Sequence, residues 1–187
     1  RQQRQEPAEP VQPAAPDRSL EMQQRQAEAA ELMRRMKTGA NNFYWVAALS
    51  VVNSVILQFG RNTFFVVGLA GTLTVDFIFI GIAEAMPDAA FIIKIIGIVV
   101  SALVAGIFAL FGFFANSGKR WAFLVGITFY VVDAVLMLVF QEWMGLVFHV
   151  IFLFGLFSGL NALNKLQKLA PPKPSSSSDF PQNIGTP

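Results

Sequence analysis

The sequence predicts an all-α fold, a polytopic transmembrane bundle of about five helices, on three observations. Between Phe43 and Leu163 the chain is almost unbroken hydrocarbon. Polar punctuation divides that run into five pieces, 43–59, 63–83, 91–115, 121–140 and 143–163. Each is near membrane-spanning length, because a helix rises about 1.5 Å per residue and about 20 residues cross a hydrocarbon core of about 30 Å. The runs are also continuous rather than alternating, which argues against a β-barrel. No face of them carries enough charge to meet water, which argues against a soluble helical protein.

Taken in order, residues 1–18 are rich in proline and glutamine and are expected to be disordered. Residues 19–38 change to strong helix formers, with Ser19 at the N-cap position. Met22, Ala29, Met33 and Met36 share one stripe there. This predicts a weakly amphipathic extramembrane helix, suited to a solvated stalk, to the bilayer surface or to a partner. The bundle proper is 43–163. Its first piece is the shortest and carries Ser50, Asn53 and Ser54, so tilted or incomplete insertion is expected. The second spans once Thr72, Thr74 and Asp76 are tolerated, and the third to fifth meet the length requirement outright. Residues 169–187 form a Pro/Ser-rich tail, expected to be disordered.

Composition removes several function classes. The chain has no cysteine, which excludes a disulfide framework and a thiolate metal site. A net charge of +2, with the basic residues at membrane flanks, gives no reason to expect nucleic acid.

A 58-residue shift brings Val46-Ala47-Ala48-Leu49 onto Val104-Ala105-Gly106-Ile107 and Gly60-Arg61-Asn62 onto Gly118-Lys119-Arg120. Phe65-Val66-Val67-Gly68-Leu69 falls on Phe123-Leu124-Val125-Gly126-Ile127, and with a one-residue gap Val75-Asp76 meets Val132-Asp133. Helices 1–2 and 3–4 therefore read as a duplicated hairpin, the alternative being the limited vocabulary of any two apolar hairpins. Two-crossing copies would be parallel, related by an axis along the membrane normal. Helix 5 is left over.

Charge sets the orientation. On the membrane face that holds the C-terminal tail, here the C face, five crossings would place Arg61, Lys119, Arg120, Lys165, Lys168 and Lys173. The opposite loops carry Glu84, Asp88 and Glu142. The positive-inside rule then puts the C-terminus in the cytoplasm. Arg25, Arg34, Arg35 and Lys37 before helix 1 pull the other way, because an odd number of crossings separates the two basic ends. Phe43-Tyr44-Trp45, Trp121 and Trp143 lie where an interfacial aromatic belt belongs.

Polar side chains inside hydrocarbon need a partner, a wet cavity or a task. Helical counting places Asp76, Asp133 and His149 at one depth, roughly 9–12 Å below the face opposite the C face. Lys94 is near enough to snorkel out or reach an aspartate. Asn53 lies nearer the middle of helix 1, and Tyr130 is one turn from Asp133. Such a cluster suits either a cation or proton site, or interhelical glue in which Lys94 neutralises one aspartate and His149 hydrogen-bonds the other. Small residues four apart, Ala102 with Gly106 and Gly155 with Gly159, form faces for close helix packing, inside the bundle or against another subunit.

Catalytic signatures fail on inspection. Gly155-Leu156-Phe157-Ser158-Gly159 has the wrong spacing for a rhomboid protease. Its only available histidine, His149, is about 13–14 Å away along the same helix. Thr74-Val75-Asp76 and Val131-Val132-Asp133 lack the motifs of intramembrane aspartyl proteases, and no phosphate-binding loop or histidine pair is present.

Asn42-Phe43-Tyr44-Trp45, Asn53-Ser54, Ala115-Asn116, Lys119-Arg120-Trp121-Ala122-Phe123, Tyr130-x-x-Asp133, Phe148-His149 and Gly159-Leu160-Asn161-Ala162-Leu163 stand at characteristic places. With them, residues 42–165 resemble a family of uncharacterised small bacterial multi-pass membrane proteins. The resemblance implies the architecture and a bacterial inner membrane, and no activity. The sequence-based expectation is a non-catalytic accessory or scaffolding subunit of a larger membrane complex, with the lipid bilayer and other membrane subunits as partners. The alternative is a small cation- or proton-coupled transporter using Asp76 and Asp133. No cofactor is legible.

Overall fold

The computed structural model describes residues 18–59 and 68–169. Among them the chain forms α1 (Arg18–Phe59), α2 (Ala70–Ala85), α3 (Ala90–Asn116), α4 (Arg120–Val139) and α5 (Trp143–Leu169), with a single 3-10 turn, Pro87–Ala89, between α2 and α3. The expected tails, residues 63–67 of the second piece and the Gly60-Arg61-Asn62 turn lie outside the described residues, apart from a few tail residues that extend α1 and α5. Four of the helices, α1, α3, α4 and α5, are long and apolar enough to cross a membrane, so the protein is a multi-pass helical membrane protein in architecture.

The expected break between an extramembrane helix and the first span does not occur. Residues 38–42 are helical, and α1 runs through 42 residues. Gly39, a weak helix former, is retained there because α5 comes too close for a side chain. A Cβ on Gly39 would sit 2.5 Å from the Gly159 Cα and 2.9 Å from the Gly155 carbonyl oxygen. Gly155 in turn lies against Asn42. The Gly155–Gly159 face is thus used inside the bundle.

Helix α1 is not peripheral to the bundle. It is the hub, packed mainly on α3 and α5. Leu32, Met36, Ala40 and Phe43 form its buried stripe, while Met22 and Met33 of the predicted stripe are exposed. Phe43 sits among Phe108, Phe111 and Phe123, with ring centroids 6.1–6.5 Å apart. Gly126 leaves room for that ring, since a Cβ there would come within 2.5 Å of it. The extramembrane turns of α1 lean on the end of α5, where Arg25–Ala29 face Lys168 and Leu169.

Two contacts fix direction. Asn116 Nδ2 donates to Asn41 Oδ1 at 3.0 Å, and the Phe59 and Phe91 rings meet at a tilt, centroids 6.3 Å apart. Helix α1 therefore enters beside the α3–α4 turn, on the C face, and ends at the opposite face beside the start of α3. The start of α1 and the end of α5 share one side. This corrects the predicted topology of five crossings with separated ends. Helices α1 and α3 run antiparallel. Gly118, at φ 74°, closes α3 in a left-handed turn: Lys119 N–H bonds the Phe114 carbonyl and Gly118 N–H the Ala115 carbonyl.

Large apolar side chains cover the outside, with Leu103, Val139 and Phe154 each more than two-thirds exposed. In water such a surface would drive association, and a lipid solvent accounts for it.

Candidate functional site

The second predicted span is where sequence and structure part most. Helix α2 has 16 residues and begins at Ala70, not 63. Leu69, extended at φ −79° and ψ 134°, donates its N–H to Ser50 Oγ at 2.9 Å, and Ser50 donates onward to the Val46 carbonyl. Ser50 is nine residues past Asn41 and nine short of Phe59, so about 13–14 Å from either boundary. Gly71 faces Val104, the middle of α3. Helix α2 thus starts halfway through the bundle and covers only the half towards the face opposite the C face.

A helix that starts among apolar side chains has orphan N–H groups with no water to take them. Asp133, on α4, takes two: Ala70 N–H donates to its Oδ2 and Gly71 N–H to its Oδ1, each at 2.9 Å. A carboxylate is well matched to that positive end of the helix. His149 from α5 completes the contact, with Nε2 2.8 Å from Asp133 Oδ2 and Nδ1 2.8 Å from the Gly145 carbonyl. A carbonyl only accepts, so Nδ1 carries a proton. The proton between Nε2 and Oδ2 then belongs either to an imidazolium facing a carboxylate or to a carboxylic acid facing a neutral imidazole. In both cases the pair holds one shared proton and is neutral overall. Tyr130 stacks on the imidazole at 4.5 Å and 15°, fixing the ring plane.

Asp76 sits six residues further along α2, about 9 Å down its axis. It is fully buried, with 0% exposure. Its Oδ1 accepts from Ser101 Oγ at 2.9 Å and, more loosely, from Gln58 Nε2 at 3.4 Å. Ser54 faces the same carboxyl without a hydrogen bond of good geometry. Among the described residues Asp76 Oδ2, Gln58 Oε1 and Ser54 Oγ are buried with no hydrogen-bond partner, as are Oδ1 and Nδ2 of Asn53 elsewhere on α1. Native proteins rarely leave so many.

The single level predicted for the polar residues is therefore two sites. Asp133, His149 and Tyr130 meet at the start of α2, whereas Asp76 lies on its flank against Ser101 and Gln58, and Asn53 stands near Gly68. Lys94 joins neither. It is half-buried, two turns before Ser101 on α3, and makes no ion pair with a described residue. The expectation that it neutralises an aspartate is not met, because α3 holds it nearer the membrane face than either carboxylate. Ala102 and Gly106 are half-buried, and nothing among the described residues lies within 4 Å of a Cβ built on Gly106.

Sequence reading missed Gln58 and Ser101. Both had a signal: Ser50, Asn53, Ser54 and Gln58 follow i, i+3, i+4, i+8 spacing on one face of α1, and Ser101 is the only hydroxyl between Lys94 and Asn116. Among the described residues no three His, Asp or Glu side chains converge on a metal position. No protein-family model, no curated protein and no solved structure matches this chain.

Proposed function

We propose that this protein is a small transporter coupled to a monovalent cation or proton, working through Asp76, with Asp133 holding the half-length helix against which it works. One observation carries the reading. Asp76 is wholly buried, and among the described residues the groups that face its carboxyl, Ser101, Gln58 and Ser54, are all neutral and no lysine or arginine pairs with it. A carboxyl group in such a place carries a proton or a cation, since a bare charge in hydrocarbon is too costly. Interrupted helices that begin at mid-membrane are a recurrent way to expose such a group to alternating sides. Reconstituted into proteoliposomes, the protein should carry proton or alkali-cation flux that Asp76→Asn abolishes while helicity and elution volume stay unchanged. A protein inert to every imposed gradient would overturn the reading.

The charge distribution supports a bacterial inner membrane with both the start of α1 and the end of α5 in the cytoplasm. Arg25, Arg34, Arg35, Lys37, Lys119, Arg120, Lys165 and Lys168 belong to one side, while Glu84, Asp88 and Glu142 belong to the other. With four crossings the basic ends no longer compete. A second reading, an accessory subunit of a larger membrane complex, is favoured by one feature: nothing among the described residues lies within 4 Å of a Cβ built on Gly106, in contrast to Gly155 and Gly159. A strictly monomeric species after gentle detergent extraction and native mass measurement would remove it.

A further inference from the structure

We infer that the Asp76 cluster is a binding site for one dehydrated alkali-metal cation, sodium or lithium, held by Asp76 Oδ2, Gln58 Oε1 and Ser54 Oγ. This deepens the transport reading and rests on it for its role, although binding itself can be measured without flux.

Three features point to this ligand class. The unpartnered atoms around Asp76 are all oxygens: Asp76 Oδ2 and Gln58 Oε1 are acceptors, the Ser54 hydroxyl can accept through its lone pairs, and such hard oxygens are what a group 1 cation takes in place of water. Their residues are at most 1% exposed, so an ion among them would be stripped of its hydration shell. The charge count is one. Asp76 supplies a single negative charge and its neighbours are neutral, so a monovalent ion leaves the site uncharged whereas a divalent ion would leave a buried positive charge.

The donors also come from a rigid frame. Ser54 and Gln58 lie about one turn apart on the hub helix α1, and Asp76 is pinned to α3 through Ser101. The charged groups on the other packed elements are already occupied or remote. Asp133 is bound by the α2 N-terminus and His149, and Lys94 stands two turns of α3 from Ser101. Gly97 is held to glycine by the same crowding, because a Cβ there would meet Gln58 Nε2 at 2.8 Å and displace the amide from the cluster.

The test is thermal unfolding of the purified full chain in detergent, with sodium, lithium or potassium chloride replacing choline chloride at constant ionic strength. Sodium or lithium should raise the midpoint in a saturable way. Asp76→Asn should abolish that response, and Ser54→Ala, a small truncation that spares the carboxylate, should raise the half-saturating concentration about tenfold. His149→Gln, at the other site, should leave the response unchanged. A midpoint identical in choline and sodium would overturn the cation site, as would a response that survives in Asp76→Asn. Proton flux in liposomes without any alkali response would also overturn it while sparing the transport reading. Saturable sodium stabilisation without flux would sustain the site and sink the transport reading.

Discussion

The two intramembrane aspartates are chemically identical and structurally opposite. Asp133 is satisfied on all sides: both oxygens take backbone N–H groups of α2, and His149 supplies the neutralising proton. Asp76 has one satisfied oxygen and one bare one, amid amide and hydroxyl atoms in the same condition. A polar group that is fully paired rigidifies the place it occupies. One that is half-paired at zero exposure is costly, and that cost is explained by a task. The comparison teaches that glue and site can sit a turn and a half apart on one helix, and that hydrogen-bond accounting separates them where residue type does not.

The largest effect should come from breaking the satisfied member. Asp133→Ala strands the Ala70 and Gly71 N–H groups and leaves His149 unpaired in hydrocarbon, a loss of about 3–5 kcal/mol. It should appear as lost expression or a collapsed unfolding midpoint, and near-normal stability would show that α2 does not depend on this cap. Next comes the hub that aligns both sites. Gly39→Ala drives a methyl group into the backbone of α5 at Gly159, and forced separation of two packed helices should cost about 1–3 kcal/mol. A smaller penalty, read by denaturant titration in detergent, would mean that α1 and α5 slide freely.

Asp76→Asn should behave in the contrary way to Asp133→Ala. An asparagine amide can donate to the bare Gln58 oxygen, so stability should stay within about 1 kcal/mol or rise. A loss as large as that of Asp133→Ala would make Asp76 structural too and dissolve the contrast. The smallest effect belongs to an exposed pair on the extramembrane turns of α1. Hydrogen bonds from Arg34 and Arg35 lower the Glu31 pKa from 4.5 to about 2. Its contribution is therefore complete above pH 4.5 and fades as pH falls from there to about 2. Salt should weaken it, since the pair is open to solvent. Circular dichroism of the wild type against Glu31→Gln in that window measures it, and an identical acid response in both would refute the pairing.

Much of the site was visible residue by residue. Asp76, Asp133, His149, Tyr130 and Asn53 stand out because each is expensive in lipid, and the turn at Gly118 because glycine beside Lys119 and Arg120 ends an apolar run. What pattern alone could not reveal was which of them meet. Counting residues from assumed membrane faces put the aspartates at one depth, and that count failed when α2 proved to start halfway through the bundle. Gly68-Leu69-Ala70-Gly71 is apolar enough to pass for the inside of a span. Only the Ser50 hydroxyl and the Asp133 carboxylate, distant in sequence, make a helix start there tolerable.

The division follows from the range of the forces. Hydrophobicity and helical rise are local, additive properties of a segment, so the sequence alone determined that this is a helical membrane protein with basic flanks. Hydrogen-bond satisfaction in a solvent that offers none is a property of pairs brought together from far along the chain. Tertiary structure therefore decided that the second segment is half a span, that both ends of the described chain share one face, and that one aspartate is bound while the other has an oxygen to spare.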